Sequence, residues 1–171
     1  MTLELYRVDE RLLHGQVVVG WGERLDVDYY VVVDAELAAS EWEQELYLSS
    51  VPAGVDVLFL DPDAPAEELR AARDREGVGC LLARGTAAMR RLAERGFLDG
   101  ETVNVGCLRA GRDRDLRLTD YVHLSAGERA DLRAVAERAG EVECRDLPDS
   151  RPVPVEPRLE EAEPAAGGGE A

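Results

Sequence analysis

Short apolar runs alternate along this chain with longer segments in which apolar residues recur at helical spacing. Residues 29–33 form a continuous run of aromatic and β-branched side chains, which is typical of a strand buried on both faces. Residues 3–8 alternate apolar and polar side chains, which also indicates a strand. The pattern predicts seven strands, at residues 3–8, 29–33, 55–60, 78–83, 102–105, 120–124 and 141–147. Helices are predicted between them at residues 15–25, 36–51, 66–76, 86–95 and 127–139.

The order of these elements predicts the fold class. Strands that alternate with helices are joined by right-handed crossovers and form a mainly parallel sheet. We therefore predict an α/β fold with an open, mainly parallel sheet of about seven strands and helices on both faces. The sequence after residue 149 is rich in proline, alanine, glycine and glutamate, so we predict one domain at 1–149 and a disordered acidic tail at 150–171.

The composition of the chain makes some classes of binding partner unfavourable and indicates where the protein is located. The chain has 171 residues and a formal net charge of −16, which makes nucleic acid or an anionic membrane surface an unfavourable partner. The sequence contains no lysine, so all 20 basic residues are arginine. A single arginine is therefore weaker evidence of a functional role here than usual. The three cysteines are widely spaced and show no C-x-x-C pair, which fits buried reduced thiols in a cytosolic protein. Neither a signal peptide nor an apolar stretch long enough to span a membrane is expected, so we predict a cytoplasmic location.

One short segment concentrates charged and titratable residues at the end of the first predicted strand. It reads Arg7-Val8-Asp9-Glu10-Arg11-Leu12-Leu13-His14-Gly15-Gln16-Val17 and precedes a predicted helix. In an open α/β sheet, ligands bind where a strand ends and a helix begins, because the helix N-terminus offers unpaired N–H groups and a partial positive charge. A histidine at that point, preceded by two arginines, is suited to a phosphoryl group.

This run resembles the phosphorylation motif of the IIB components of the mannose/fructose/sorbose class of the sugar phosphotransferase system. The motif reads Arg-[Ile/Val]-Asp-Asp-Arg-Leu-Ile-His-Gly-Gln-Val and is followed four residues later by tryptophan, here Trp21. Residues 31–38, 103–106 and 142–148 resemble further segments of the same family, so the resemblance covers nearly all of 1–149. A motif of this length in the expected structural context is a specific signal.

The resemblance implies that His14 accepts a phosphoryl group on its δ nitrogen and passes it on. Neutral imidazole is a nucleophile at neutral pH, which fits that role. Arg11 is the first candidate to pair with the transferring oxygens, and Asp9 is predicted to orient the loop or a ring nitrogen of His14. Arg7 is a second candidate for the phosphate, although it could instead pair with Asp9. Neither a metal nor another cofactor is expected.

Further groups are candidates for holding the phosphate. Backbone N–H groups of Gly15, Gln16 and Val17 would complete an anion site at the helix start. The Gln16 side chain either binds the phosphate or simply lies in the first helical turn. Thr86, which follows another strand, could reach the phosphate, but capping of its own helix is favoured. For Trp21 and for the second histidine, His123, packing roles are favoured.

The chain also departs from the family pattern. Glu10 stands where the family often has a second aspartate, and Ala35 replaces a usual aspartate. The loop after Arg84 lacks the usual Ser/Thr-Pro pair, and residues 109–116 are arginine-rich where the family carries Gly-Lys. These changes affect sugar specificity and partner choice more than the phosphoryl chemistry. We expect Arg7, Arg11 and the arginines of 109–117 to form a local basic rim on an acidic protein.

The leading hypothesis is a protein-Nπ-phosphohistidine–sugar phosphotransferase. It would take phosphate from a separate IIA component, docked near His14 around a small apolar patch, and deliver it to a sugar held by the membrane-embedded IIC/IID permease. A regulatory phospho-switch that transports no sugar is the alternative. A nucleotide-binding domain is a third and weaker hypothesis, because no glycine-rich motif or phosphate-loop lysine supports it. A homodimer is compatible with the sequence, and the sequence does not name the sugar.

Overall fold

A computed structural model describes residues 3–161, in which seven strands form one open sheet. Its strands are β1 (Leu3–Asp9), β2 (Tyr29–Val33), β3 (Asp56–Leu60), β4 (Gly79–Ala83), β5 (Thr102–Cys107), β8 (Glu141–Cys144) and β9 (Val153–Pro154). The order across this sheet is β3-β2-β4-β1-β5-β8-β9. All neighbouring strands in it are parallel except β8 and β9. The predicted class, a mainly parallel α/β sheet of seven strands, is confirmed.

One predicted strand does not belong to this sheet. In place of a strand at 120–124, β7 (His123–Leu124) pairs antiparallel with β6 (Leu116–Arg117) in a separate two-stranded ribbon. Val122 and Leu124 are buried nonetheless, with 1% and 0% exposure, because the ribbon packs on the core. The apolar alternation therefore correctly indicated burial, but it did not determine the strand partner, which depends on long-range pairing.

The prediction of a disordered tail at 150–171 is wrong for the described part of that segment. Val153–Pro154 adds β9 to the edge of the sheet, and α7 (Glu156–Glu161) follows it. Val155 and Leu159 lie four residues apart and are both only 1% exposed in the main core. These two apolar anchors outweigh the proline-rich composition, and proline is tolerated on an edge strand. Residues 162–171 of the predicted tail lie outside the described residues.

Helices cover both faces of the sheet, as predicted. A π-helical segment Gln16–Trp21 leads into α1 (Gly22–Leu25), and further helices follow as α2 (Ala35–Ala38), α3 (Glu41–Leu48), α4 (Ala66–Arg73), α5 (Thr86–Glu94) and α6 (Ala126–Ala136). Buried side chains of α4 to α7 join the larger core on one face of the sheet. The π-helical segment and α2 bury their apolar side chains against the other face.

The helix predicted over 36–51 is interrupted. Asp34 caps α2 by accepting a hydrogen bond from the Leu37 N–H at 2.8 Å. The Gln44 side chain then donates to the Leu37 and Ala38 carbonyls at 2.9 and 3.2 Å, which satisfies the end of α2. Because these side-chain hydrogen bonds replace helical ones, α3 starts as a separate helix.

Strand β1 determines where a ligand site can form. It lies between β4 and β5. From β1 the chain passes to β2, on the β4 side of the sheet, and the later strands β5, β8 and β9 are added on the other side. The carboxyl end of β1, at Asp9, therefore lies at the point where the strand order reverses. Crevices at such points are the usual binding sites of open α/β sheets.

Candidate functional site

The segment between β1 and the π-helical segment is a tight turn. Leu12 adopts a left-handed backbone conformation with φ of 54°, and its N–H donates to the Asp9 carbonyl at 3.0 Å. Leu12 and Leu13 are 0% and 4% exposed, so their burial holds the turn against the sheet. Burying these two leucines leaves His14 at the surface end of the turn, with its side chain 18% exposed.

Asp9 is the centre of the site. Its carboxylate is fully buried and accepts hydrogen bonds from two arginines, one on each side. Oδ2 accepts from Arg7 Nη2 at 2.8 Å and from Arg11 Nη2 at 3.1 Å. Oδ1 accepts from the Arg11 backbone N–H at 3.1 Å and from Arg11 Nε at 3.0 Å. Two guanidinium groups thus share one carboxylate, which leaves a net positive charge beside His14.

The His14 ring is oriented by the same carboxylate. Its Nε2 lies 3.1 Å from Asp9 Oδ2. A carboxylate can only accept, so Nε2 carries the proton in this contact and Nδ1 keeps its lone pair when the ring is neutral. The arrangement therefore supplies an exposed imidazole whose δ nitrogen is available as a nucleophile.

The neighbouring charges keep Asp9 ionised. Burial by itself would raise the pKa of Asp9, but hydrogen bonds from His14 and Arg11 and the charge of Arg7 outweigh it and hold the pKa well below its usual range. An ionised Asp9 at physiological pH is the acceptor that the His14 Nε2–H requires. The predicted orienting role of Asp9 thus has a geometric basis.

The two arginines differ in accessibility. Arg7 is 0% exposed and lies behind Asp9, whereas the Arg11 side chain is 29% exposed. Of the two roles left open for Arg7, the structure favours pairing with Asp9. Arg11 also donates from Nη2 to Gln16 Oε1 at 2.8 Å, which places the Gln16 side chain beside the arginine at the rim of the site.

Two groups that were predicted to bind the phosphate donate hydrogen bonds to other acceptors in this structure. The Val17 N–H donates to the His14 carbonyl at 3.0 Å, so it is turned into the helix and not toward an anion. Thr86 is 2% exposed and donates its hydroxyl to Asp131 of α6 at 2.8 Å. It does not cap its helix either, because Gly85 occupies the cap position. Both groups already have hydrogen-bond partners that the sequence does not show, and phosphate binding by either stays a prediction.

The predicted basic rim is also largely neutralised. Arg114 pairs with Glu10 at 3.0 Å and with Glu128 at 2.7 Å, and Arg109 pairs with Glu10 as well. Arg117 pairs with Asp120. Burial would raise the pKa of Glu10, but hydrogen bonds from Arg109 and Arg114 lower it overall. Arg109, Arg114 and Arg117 of this loop are therefore engaged in ion pairs, whereas Arg7 and Arg11 share one carboxylate and leave a surplus of positive charge.

Sequence reasoning overlooked the role of one polar residue, Asn104. It is 1% exposed in β5 and accepts a hydrogen bond from Arg7 Nη1 at 2.5 Å. The available signal was an amide side chain between two valines in a strand otherwise predicted to be buried. The packing roles favoured for the other candidates agree with the structure for Trp21, which is 6% exposed in the smaller core.

Within residues 3–161, no group of three or more histidine, cysteine, aspartate or glutamate side chains could hold a metal ion. No helix within the same range is long and apolar enough to cross a membrane.

Comparison with known proteins identifies the family. The family model for the sorbose-subfamily IIB component of the phosphotransferase system matches residues 3–167. The N-acetylgalactosamine-specific phosphotransferase enzyme IIB component 1 of Escherichia coli (strain K12) is 28% identical over 145 residues, which cover 84% of this chain and 90% of that protein. The mannose-specific EIIAB component of the same strain is 28% identical over 150 residues, 86% of this chain and 45% of that protein.

A solved structure agrees with these relatives. The crystal structure of the Escherichia coli N-acetylgalactosamine-specific IIB component 1 superimposes with a TM-score of 0.81 at 26% identity, covering 90% of this chain and 99% of that one. The fold and the site thus define a phosphotransferase component of the α/β class. The chain belongs to the sorbose-subfamily IIB components of the sugar phosphotransferase system.

Proposed function

We propose that this protein is a phosphoryl carrier that accepts phosphate on His14 from a IIA component and donates it to a sugar bound by a IIC/IID membrane permease. Family membership supports a transferase role in a sugar phosphotransferase system. The single observation that carries the proposal is the 3.1 Å contact between His14 Nε2 and Asp9 Oδ2. It leaves Nδ1 as the nucleophile on a partly exposed ring.

These groups account for both phosphoryl-transfer steps. His14 Nδ1 attacks the phosphorus of the donor's phosphohistidine, and the donor nitrogen departs with the electron pair of the broken N–P bond. The imidazolium formed on His14 keeps its Nε2–H bonded to ionised Asp9, which stabilises its positive charge. In the second step a sugar hydroxyl oxygen attacks phosphorus, the N–P bond electrons return to Nδ1, and the hydroxyl proton passes to solvent.

The charge distribution favours this chemistry. Phosphoryl transfer has a loose transition state, so a protein contributes mainly position and charge. Arg11 is the guanidinium that can turn toward the equatorial oxygens, since it is part-exposed at the rim of the site. The N–H groups of Gly15 and Gln16, at the start of the π-helical segment, are the proposed backbone donors.

Partner docking is proposed over a groove beside His14. The groove is lined by Leu13, Glu43, Leu46, Tyr47, Ser50 and Arg84. Leu46 of α3 is 61% exposed, and we propose it as part of the small apolar patch expected near His14. The name of the mannose-specific EIIAB relative joins A and B components, which supports a IIA component as the donor. We place the protein at the cytoplasmic side of its permease.

The deciding experiment measures the intact mass of the protein after incubation with phosphoenolpyruvate, the two general phosphotransferase proteins and a cognate IIA component. Wild type should gain one acid-labile phosphoryl group, and His14→Ala should gain none. The matched control is His123→Ala, because the chain has only two histidines. Unmodified wild type beside a demonstrably phosphorylated IIA component would reject the proposal.

Delivery to sugar is tested separately. Phosphorylated protein is mixed with vesicles that contain the cognate permease and with candidate hexoses, and sugar phosphate is measured. The regulatory alternative is not favoured, since the matched relatives are named as components of sugar-specific systems. Phosphorylation of the protein without formation of any sugar phosphate would favour the regulatory alternative over the phosphoryl carrier.

A further inference from the structure

Asn104 lies inside β5, the neighbour of β1, and does not reach the surface of the site. We propose that Asn104 is a positioning residue for phosphoryl transfer: it holds Arg7, Arg7 holds Asp9, and Asp9 holds the His14 ring. This inference rests on the proposed role of His14 as phosphoryl acceptor. The chain of contacts from Asn104 to His14 consists of three hydrogen bonds, of 2.5, 2.8 and 3.1 Å.

Both ends of the Asn104 amide are used. Oδ1 accepts from Arg7 Nη1 at 2.5 Å, and Nδ2 donates to the Arg145 carbonyl at 3.1 Å. The same carbonyl accepts from Arg7 Nη1 at 2.8 Å. The reverse orientation of the amide would turn its N–H groups toward the guanidinium, so the network determines the orientation. Asparagine is thus matched to this position as acceptor and donor at once.

Arg7 is held on every side. Nε and Nη2 donate to Asp9 Oδ2 at 3.2 and 2.8 Å, while Nη1 donates to Asn104 and to the Arg145 carbonyl. The guanidinium passes over Gly106, where an added Cβ would lie 1.9 Å from the Arg7 Cζ atom. The side chain therefore occupies a slot shaped by β5, and it presents two N–H groups to Asp9 in one orientation.

Trp21 supports the same slot from the π-helical segment. The centroid of its ring lies 5.7 Å from Arg7 Cζ and 5.6 Å from Arg145 Cζ, so the indole contacts both guanidinium groups. The indole N–H donates to the Asp146 carbonyl at 2.9 Å, which holds the segment that supplies the Arg145 carbonyl. Strands β1, β5 and β8 are thereby joined behind the catalytic turn by buried polar groups.

Loss of Asn104 should be transmitted to the His14 ring. Without the Oδ1 acceptor, Arg7 Nη1 keeps only the Arg145 carbonyl, and the buried guanidinium rotates to recover a partner. Asp9 Oδ2 then loses aligned donors and no longer fixes Nε2–H. The proposed outcome is a mixed population of His14 tautomers, in which only part of the rings have a free Nδ1.

The test uses selective ¹⁵N labelling of histidine, which gives signals from only two rings in this chain. The tautomer ratio of His14 is measured by NMR at a pH where the ring is neutral, and His123 serves as an internal reference. Wild type should have Nε2–H alone. Asn104→Leu should have a measurable Nδ1–H population and about tenfold slower phosphorylation. Asn104→Ser, which keeps an acceptor, should recover part of both properties.

The matched control is Val105→Ala, on the same strand but with its side chain in the larger core on the opposite face. It should lower the melting temperature without altering the His14 tautomer. Should Asn104→Leu not fold, Asn104→Ala, which also removes the acceptor, decides by the same two measurements. Wild-type tautomer and rate in a folded Asn104→Leu or, failing that, in Asn104→Ala would overturn the proposal. Because the tautomer is observed without any donor, failure of the proposed phosphorylation is distinguishable from failure of this inference.

Discussion

Two groups of arginines lie close to the carboxyl end of β1, and they serve different purposes. Arg7 and Arg11 share the single buried carboxylate of Asp9 and leave a surplus of positive charge beside His14. Arg109 and Arg114 instead meet Glu10 and Glu128, so their charges are largely cancelled. The ratio of cations to acids within contact distance, and not the number of arginines, therefore decides where a surplus of positive charge remains.

The largest effect is expected from Asp9→Asn. The amide can donate to His14 Nε2 and so favour the wrong tautomer, and it leaves Arg7 as a buried cation without a carboxylate. Phosphorylation should fall between about 10²- and 10⁴-fold, and the free energy of unfolding by about 3 kcal/mol. Rapid-quench kinetics and urea denaturation measure the two effects. A folded variant with a wild-type rate would remove Asp9 from the mechanism.

A smaller loss of rate is expected from Arg11→Gln, which removes the accessible positive charge and keeps side-chain length. Phosphorylation should slow by about 10²-fold, with a smaller change in stability because the side chain is 29% exposed. Arg11→Lys should give an intermediate rate, because it restores charge without the fork geometry. The control is Arg109→Gln in the neutralised group, whose rate should stay within about twofold of wild type. Equal losses in the two glutamine variants would contradict the comparison.

Arg114→Gln should affect stability and not rate. The variant leaves Glu128 and Glu10 without a part-buried partner, so the free energy of unfolding should fall by about 1–2 kcal/mol. Phosphorylation per folded molecule should be unchanged. Arg117→Gln is the matched control, because its ion pair with Asp120 is mostly exposed and its loss should cost less than about 0.5 kcal/mol. The free energies of unfolding of wild type, Arg114→Gln and Arg117→Gln are compared from denaturation curves, whose slopes should be equal for the three proteins.

The smallest effect is expected on the acid side of the stability profile. The pKa of Asp9 is depressed in the folded state, so its contribution to stability is complete above the unfolded value of about 4 and is lost as the pH falls below it. The stability difference between wild type and Asp9→Asn should therefore narrow below about pH 4. A difference that does not change with pH would mean that folding does not lower the pKa of Asp9.

Local pattern was sufficient for much of the architecture. Six of the seven predicted strands are in the main sheet, because buried parallel strands consist of apolar runs bounded by turn residues. Strand β9 and the burial of Val155 and Leu159 were not predicted, since two apolar anchors in a proline-rich stretch give a weak local signal. The division between α2 and α3 was overlooked for a similar reason, because Gln44 ends α2 through a side-chain contact.

The local pattern alone predicted a histidine, preceded by two arginines, at the end of the first strand of an α/β sheet. Spacing along the chain is a local property, and the motif from Arg7 to Val17 contains it completely. The burial of Arg7, its hydrogen bond to Asn104 and the pairing of Arg114 with Glu10 depend on the three-dimensional fold. Those contacts join residues about a hundred positions apart in sequence, and their partners are set by strand order and burial.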